Sequence, residues 1–158
     1  MDSGRRKVLK GTSGAAVLGF AMAAGLIKPE AAWAQGSWNK AAFETKSVAD
    51  TVKALGGASA ATESKDIVIT SPDIAENGAV VPFTISSKVP KTESMALLVE
   101  KNPNILAAKF DIPEGTEAWV NTRAKMGQTS NVFALVKADG KYYYTTKEVK
   151  VTLGGCGG

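Results

Sequence analysis

The stretch Val132-Phe133-Ala134-Leu135-Val136-Lys137-Ala138-Asp139-Gly140-Lys141-Tyr142-Tyr143-Tyr144 decides the fold. Asp139-Gly140 stands between two runs rich in β-branched and aromatic residues, the pattern of a two-residue hairpin turn with positive φ at both positions. The second run continues through Val149-Lys150-Val151-Thr152-Leu153. There the apolar residues 149, 151 and 153 alternate with Lys150 and Thr152, as one half-buried strand requires.

Working outward, the same grammar repeats. Strands are expected near 66–70, 79–87, 95–101, 105–110, 117–126, 132–138 and 141–153. Ser71-Pro72, Asn77-Gly78, Asn102-Pro103-Asn104 and Pro113-Glu114-Gly115 supply the breaks between them. Ala118, Val120, Ala124 and Met126 share one face of their strand, and Asn121, Arg123 and Lys125 share the other. Short strands at this spacing predict a mainly β domain, an immunoglobulin-like antiparallel sandwich over 66–153. The single cysteine excludes the intersheet disulfide of antibody domains.

One helix precedes the strands, over 46–56. Ser47 and Asp50 have capping-box spacing, Val48, Val52 and Leu55 form one apolar stripe, and Gly56 is placed to close the helix. Phe43 lies off that stripe, so either the helix starts after it or it docks elsewhere. The run Gly56-Gly57-Ala58-Ser59-Ala60-Ala61-Thr62 reads as a linker.

The first 34 residues read as an address. Arg5-Arg6-Lys7 precedes an apolar run from about Ser13 to Ile27, and Ala32-Trp33-Ala34 supplies a small-residue cleavage site. This is the plan of a cleaved signal peptide of twin-arginine type, with the bacterial periplasm as destination. Gly4 and Val8 depart from the serine and phenylalanine usual around the arginine pair, so general secretion stays open as a route. The apolar run is short and Gly-rich for a spanning helix, which wants about 20 residues; an N-terminal anchor is the alternative. The chain holds 19 Lys+Arg and 15 Asp+Glu, of which five and two lie in the leader. The mature part, 35–158, is left with 14 against 13. The basic pI of about 9.2 therefore belongs to the precursor and points to neither nucleic acid nor membrane as a partner of the mature form.

The chain ends Gly154-Gly155-Cys156-Gly157-Gly158. Glycine lacks the Cβ that restricts other residues, so this run is expected to be a thin, flexible arm carrying one thiol. An extended arm places the sulfur roughly 10 Å beyond Leu153, with no bulky neighbour to bar a narrow site. Taken alone, such an end is a frayed terminus. In an exported protein, however, an idle exposed thiol is open to oxidation, which favours a use for it.

Catalysis by the chain itself has little support. It contains no histidine, the usual general base and commonest metal ligand, so Ser-His-Asp and Cys-His chemistry are excluded. Zinc, haem and iron–sulfur centres lose their usual ligands too, and neither a cofactor nor a metal is expected. Glu114-Gly115-Thr116-Glu117 is expected to be a solvated turn rather than a catalytic pair. Nothing beside Cys156 favours its thiolate, and the nearby C-terminal carboxylate opposes it. A body unable to transform what its sulfur holds suggests a swinging-arm carrier. A structural or adhesion module with a cross-linking cysteine is the alternative from another class; a thiol redox enzyme is a third.

The terminal Gly154–Gly158 motif resembles that of the SoxY family, the covalent carrier subunits of bacterial sulfur oxidation. The resemblance extends through Arg123-Ala124-Lys125-Met126-Gly127-Gln128-Thr129-Ser130-Asn131-Val132, Lys137-Ala138-Asp139-Gly140-Lys141 and Lys147-Glu148-Val149-Lys150-Val151. It implies that Cys156 bears the substrate and that Gly154, Gly155, Gly157 and Gly158 form the arm. It further implies thiosulfate oxidation in the periplasm and a SoxZ-type partner subunit in a heterodimer. The c-type cytochrome SoxXA would load the cysteine, the thiosulfohydrolase SoxB would release sulfate, and a sulfane dehydrogenase would oxidise the remaining sulfur. The sequence leaves the partner surface open, with exposed apolar strand residues as candidates.

Overall fold

The computed structural model describes residues 39–58 and 60–152. The leader with residues 35–38, Ser59 of the expected linker, Leu153 and the arm 154–158 lie outside the described residues. Among the described residues two short helices, α1 (Lys40–Phe43) and α2 (Val48–Ala54), come first. Nine strands follow: β1 (Thr62–Glu63), β2 (Ile67–Thr70), β3 (Ile74–Ala75), β4 (Val81–Ser87), β5 (Thr92–Val99), β6 (Leu106–Asp111), β7 (Trp119–Ala124), β8 (Ser130–Ala138) and β9 (Lys141–Val151).

The decisive hairpin forms as its residues demand. Asp139 and Gly140 have φ of 49° and 73°, and β8 and β9 pair in unbroken register from Ala138↔Lys141 to Ser130↔Val149. The larger sheet runs β1-β9-β8-β5-β6, with β3 also on the outer edge of β9. The smaller runs β2-β4-β7. All ladders among β2 and β4–β9 are antiparallel, whereas β1 and β3 join β9 in parallel. A β2-β4-β7 sheet facing β9-β8-β5-β6 has the strand order of an immunoglobulin-like sandwich.

The sandwich core is built from alternate residues. Ile67, Val81, Phe83 and Ile85 of the small sheet meet Met95, Leu97, Val99, Val132, Ala134, Val136 and Val149 of the large one. Met126 is buried in this core, and Ala118, Val120 and Ala124 pack against it, on the face expected for them. Exposed Asn121 and Arg123 point outward.

A second core lies on the opposite face of the large sheet. Ala96, Leu98, Leu106, Leu135 and Tyr142 pack there with Ala42 and Val52 of the helices. Strands β5 and β8 are thus buried on both faces, which is why they read as nearly continuous apolar runs rather than as alternation. Phe43 belongs to this helix layer, in a one-turn helix of its own that ends before α2 begins. Asn39 joins the two helices. Its Oδ1 accepts the Ala42 N–H at 3.1 Å and its Nδ2 donates to the Ala54 carbonyl at 2.8 Å.

The run expected to be a linker is more constrained than its composition suggests. Gly56 takes φ of +88° and donates to Lys53 O, while Gly57 donates to Val52 O. This is a Schellman closure, and it presses Gly57 against Val52 and Tyr142. Thr62 already belongs to β1. β1, β3 and the one-turn α1 are the elements that periodicity missed; two to four residues carry no period.

Candidate functional site

Cys156 and the glycines around it lie outside the described residues, so the site is approached from its root. β9 reaches Val151, and Cys156 follows Thr152 by four residues. Four fully extended residues span at most about 14 Å between Cα atoms, which bounds the distance from Thr152 to Cys156.

The root is fastened on both edges. Residues alternate in the direction of their amides along a strand, so Lys150 and Thr152 address one neighbour and Val151 the other. On the outer edge, Lys150 N–H donates to Asp73 O at 2.9 Å and Thr152 N–H to Ala75 O at 3.2 Å. The β3 pairs Ile74↔Lys150 and Ala75↔Val151 lie between them. Upstream, Lys147 Nζ donates to Ser71 O at 2.6 Å and stands 3.0 Å from Asp73 Oδ1. Ser71–Ala75 is thus a strap laid along β9.

On the inner edge the ladder to β8 ends at Ser130↔Val149. Val151 N–H is nevertheless satisfied, because the Thr129 hydroxyl accepts it at 3.0 Å. The next two side chains complete a junction. Ser130 Oγ accepts the Lys101 N–H at 3.0 Å, and Asn131 Nδ2 donates to Glu100 Oε2 at 3.0 Å. Asn102 spans the neighbouring loops, its Nδ2 donating to Lys125 O at 2.7 Å. Val149 is fully buried and Val151 packs on the sandwich core, so the strand is also held by its side chains.

Sequence reading named Cys156, which lies outside the described residues, and missed Thr129 and the strap. Thr129 looks like any loop threonine, and its partner is 22 residues away. Pro72 signalled a break, and nothing local revealed that the broken segment would return to β9.

Among the described residues no cluster of His, Cys, Asp or Glu could hold a metal ion. Glu114 and Glu117 are both exposed, and Thr116 N–H bonds Pro113 O at 3.1 Å in a turn, as expected. Two clefts of about 380 and 410 Å³ lie beside the β8–β9 turn, at the opposite end of β9 from the root. Lys91, Thr92 and Glu114 line both of them. Nearby, Glu93 accepts from Lys137 Nζ at 2.7 Å and from Gly140 N–H at 3.0 Å. These donors hold the Glu93 carboxyl below the usual carboxylate range, and the carboxylate in turn raises Lys137. Burial pushes the Tyr142 phenol up; its hydroxyl donates to Leu55 O at 2.8 Å. The first arrangement ties β5 to β8 and to the β8–β9 turn, and the second ties β9 to the C-terminal cap of α2. Among the described residues the exposed large apolar side chains are Val68, Ile74, Val80 and Trp119. Val68 and Trp119 sit either side of Ser86 in register on the outer face of the small sheet.

Comparison with known proteins gives the site its context. The family model for "Sulfur oxidation protein SoxY" matches residues 52–156, a span that ends on the cysteine. A solved sulfur carrier protein SoxY from Chlorobium limicola f thiosulfatophilum is 36% identical, with a TM-score of 0.61. The match covers 66% of this chain and 94% of that one. A superoxide reductase (neelaredoxin) from Ignicoccus hospitalis aligns at 17% identity and a TM-score of 0.48, covering 60% of this chain and 83% of its own. No curated protein matches the chain.

Proposed function

The chain belongs to the SoxY family of sulfur oxidation proteins, and from that membership we propose that it carries thiosulfate-derived sulfur on Cys156 and presents it to enzymes of thiosulfate oxidation. A role as sulfur carrier comes with the family. The residue, the substrate and the visiting enzymes are the finer reading.

One observation supports that reading most. The strand is pinned on both edges up to Thr152, and four residues later comes the single cysteine of the chain. An anchored root followed by glycines is what a short tether needs. It keeps the thiol near the body yet free of bulk that would bar a narrow active site.

The chemistry balances as follows. Loading joins the Cys156 sulfur to the terminal sulfur of thiosulfate, giving Cys–S–S–SO3⁻, one proton and two electrons. The electrons pass to an external oxidant, the role of the c-type cytochrome SoxXA. Water then cleaves the S–SO3⁻ bond in SoxB, giving sulfate, two protons and the Cys156 persulfide anion, Cys–S–S⁻. Where a sulfane dehydrogenase operates, it oxidises the remaining sulfur and passes the electrons to an external acceptor. Residues 1–34 act as a twin-arginine signal in this scheme. Folded 35–158 reaches the periplasm together with a SoxZ-type subunit, with which it forms a heterodimer.

Intact-mass spectrometry of the protein from thiosulfate-grown cells tests the proposal. The expected result is sulfur-containing adducts confined to the C-terminal peptide and absent from Cys156→Ser. Reducible homodimers without adducts would overturn it in favour of a cross-linking module. Replacing Gly155 or Gly157 by Val should slow loading and processing while leaving the melting temperature unchanged.

A further inference from the structure

We propose that Thr129 and the Ser71–Ala75 strap form a two-sided clasp that sets where the arm begins, and therefore how far Cys156 reaches. The proposal rests on the carrier reading above and assigns Thr129 as a positioning residue.

A hairpin whose partner strand has ended normally frays. Here β8 supplies no backbone acceptor beyond Ser130, yet β9 continues. Three successive amides are held on alternating sides: Lys150 by Asp73 O, Val151 by Thr129 Oγ1, Thr152 by Ala75 O. The threonine hydroxyl stands in for the missing strand carbonyl. Lys147 locks the other side by bonding Ser71 O and pairing with Asp73. Thr152 Oγ1 adds a long contact to Glu76 O at 3.5 Å.

The consequence is geometric. With the clasp closed, the tether runs four residues from Thr152 to Cys156, at most about 14 Å. With it open, the last ladder pair is Ser130↔Val149. The tether then runs seven residues, up to about 25 Å. Effective concentration at a docked site falls roughly as the −3/2 power of tether length, so opening should dilute the thiol about two- to threefold. A visiting enzyme must also meet the loops around Thr152, because a closed clasp lets the thiol reach no farther.

Thr129→Val keeps the shape of the side chain and removes the acceptor; Thr129→Ser keeps the acceptor. Amide hydrogen exchange of the mature protein in complex with its partner subunit reads the clasp directly. The expected result for Thr129→Val is exchange at least tenfold faster at Val151, with Val149 unchanged, and near-normal protection in Thr129→Ser. Lys147→Met should loosen the Thr152 amide instead, giving an independent variant should Thr129→Val fold poorly. In a loading assay with thiosulfate and the cognate cytochrome enzyme, Thr129→Val should raise KM for the carrier two- to threefold with kcat retained. Deleting Gly154 should harm the wild type more than Thr129→Val, whose tether has length to spare. Unchanged Val151 exchange overturns the clasp, as does equal harm from the deletion in both backgrounds. A wild-type protein that takes up no thiosulfate overturns the carrier reading instead, whatever the exchange data show.

Discussion

Glu93 shows how much one side chain does at the end of the sandwich opposite the C-terminal end of β9. The tight turn Asp139-Gly140 points the Gly140 N–H outward, and Glu93 accepts it while also pairing with Lys137. Its carboxyl is held below its ordinary range, chiefly by the Lys137 hydrogen bond and then by Gly140. A depressed carboxylate contributes stability above its unfolded pKa and loses it as pH falls through the lower, folded value. Lys137, raised by the same bond, contributes below its unfolded pKa and loses that contribution only in strong alkali. The pair is therefore fully effective from about pH 5 to 10. Melting temperature measured from pH 7 to 3 should fall less steeply in Glu93→Gln than in wild type. An unchanged slope would show that the pair contributes nothing measurable, the common outcome for exposed pairs.

At the scale of the element, α2 is a seven-residue helix, too short to persist without help. Ser47 Oγ accepts the Asp50 N–H at 3.1 Å and donates to the Asp50 carboxylate at 2.6 Å. Ser47→Ala should therefore cost about 1 kcal/mol in urea denaturation. At the other end, Gly57 has no room for a side chain. A Cβ there would stand 2.4 Å from Val52 Cγ1, 2.9 Å from Val52 O and 3.0 Å from Tyr142 Cδ2. Gly57→Ala should cost roughly 1–3 kcal/mol, because backbone must shift to admit the methyl. Gly127, with nothing within 4 Å of its Cβ position, is the control: Gly127→Ala should leave stability nearly unchanged. The capping residues were readable because capping is local. The tightness at Gly57 was not, since Tyr142 arrives from 85 residues away.

Across the whole molecule, the large sheet serves two cores at once. Leu97 and Leu98 are neighbours in β5 and both fully buried, yet one faces the small sheet and the other the helices. Each should cost about 2–5 kcal/mol on truncation to alanine, from lost transfer energy and the cavity left behind. Because the two cores share β5 and β8, both variants should unfold in a single transition by circular dichroism and by fluorescence. A separate early transition in Leu98→Ala would show that the helix layer melts by itself.

What the residues dictate locally was open to reading from the chain: the Asp139-Gly140 turn, the alternating faces of β7 and β9, the cap of α2, and the lone thiol among glycines. Each depends on neighbours a few positions apart, where steric and hydrogen-bonding rules act without reference to the rest of the fold. Folding alone brought Ser71–Ala75 beside β9, set Thr129 against Val151, and buried β5 and β8 on both faces. Those outcomes turn on which segments compete for one strand edge and one apolar surface. That competition is settled only when distant stretches of chain collapse together and every buried amide must find a partner.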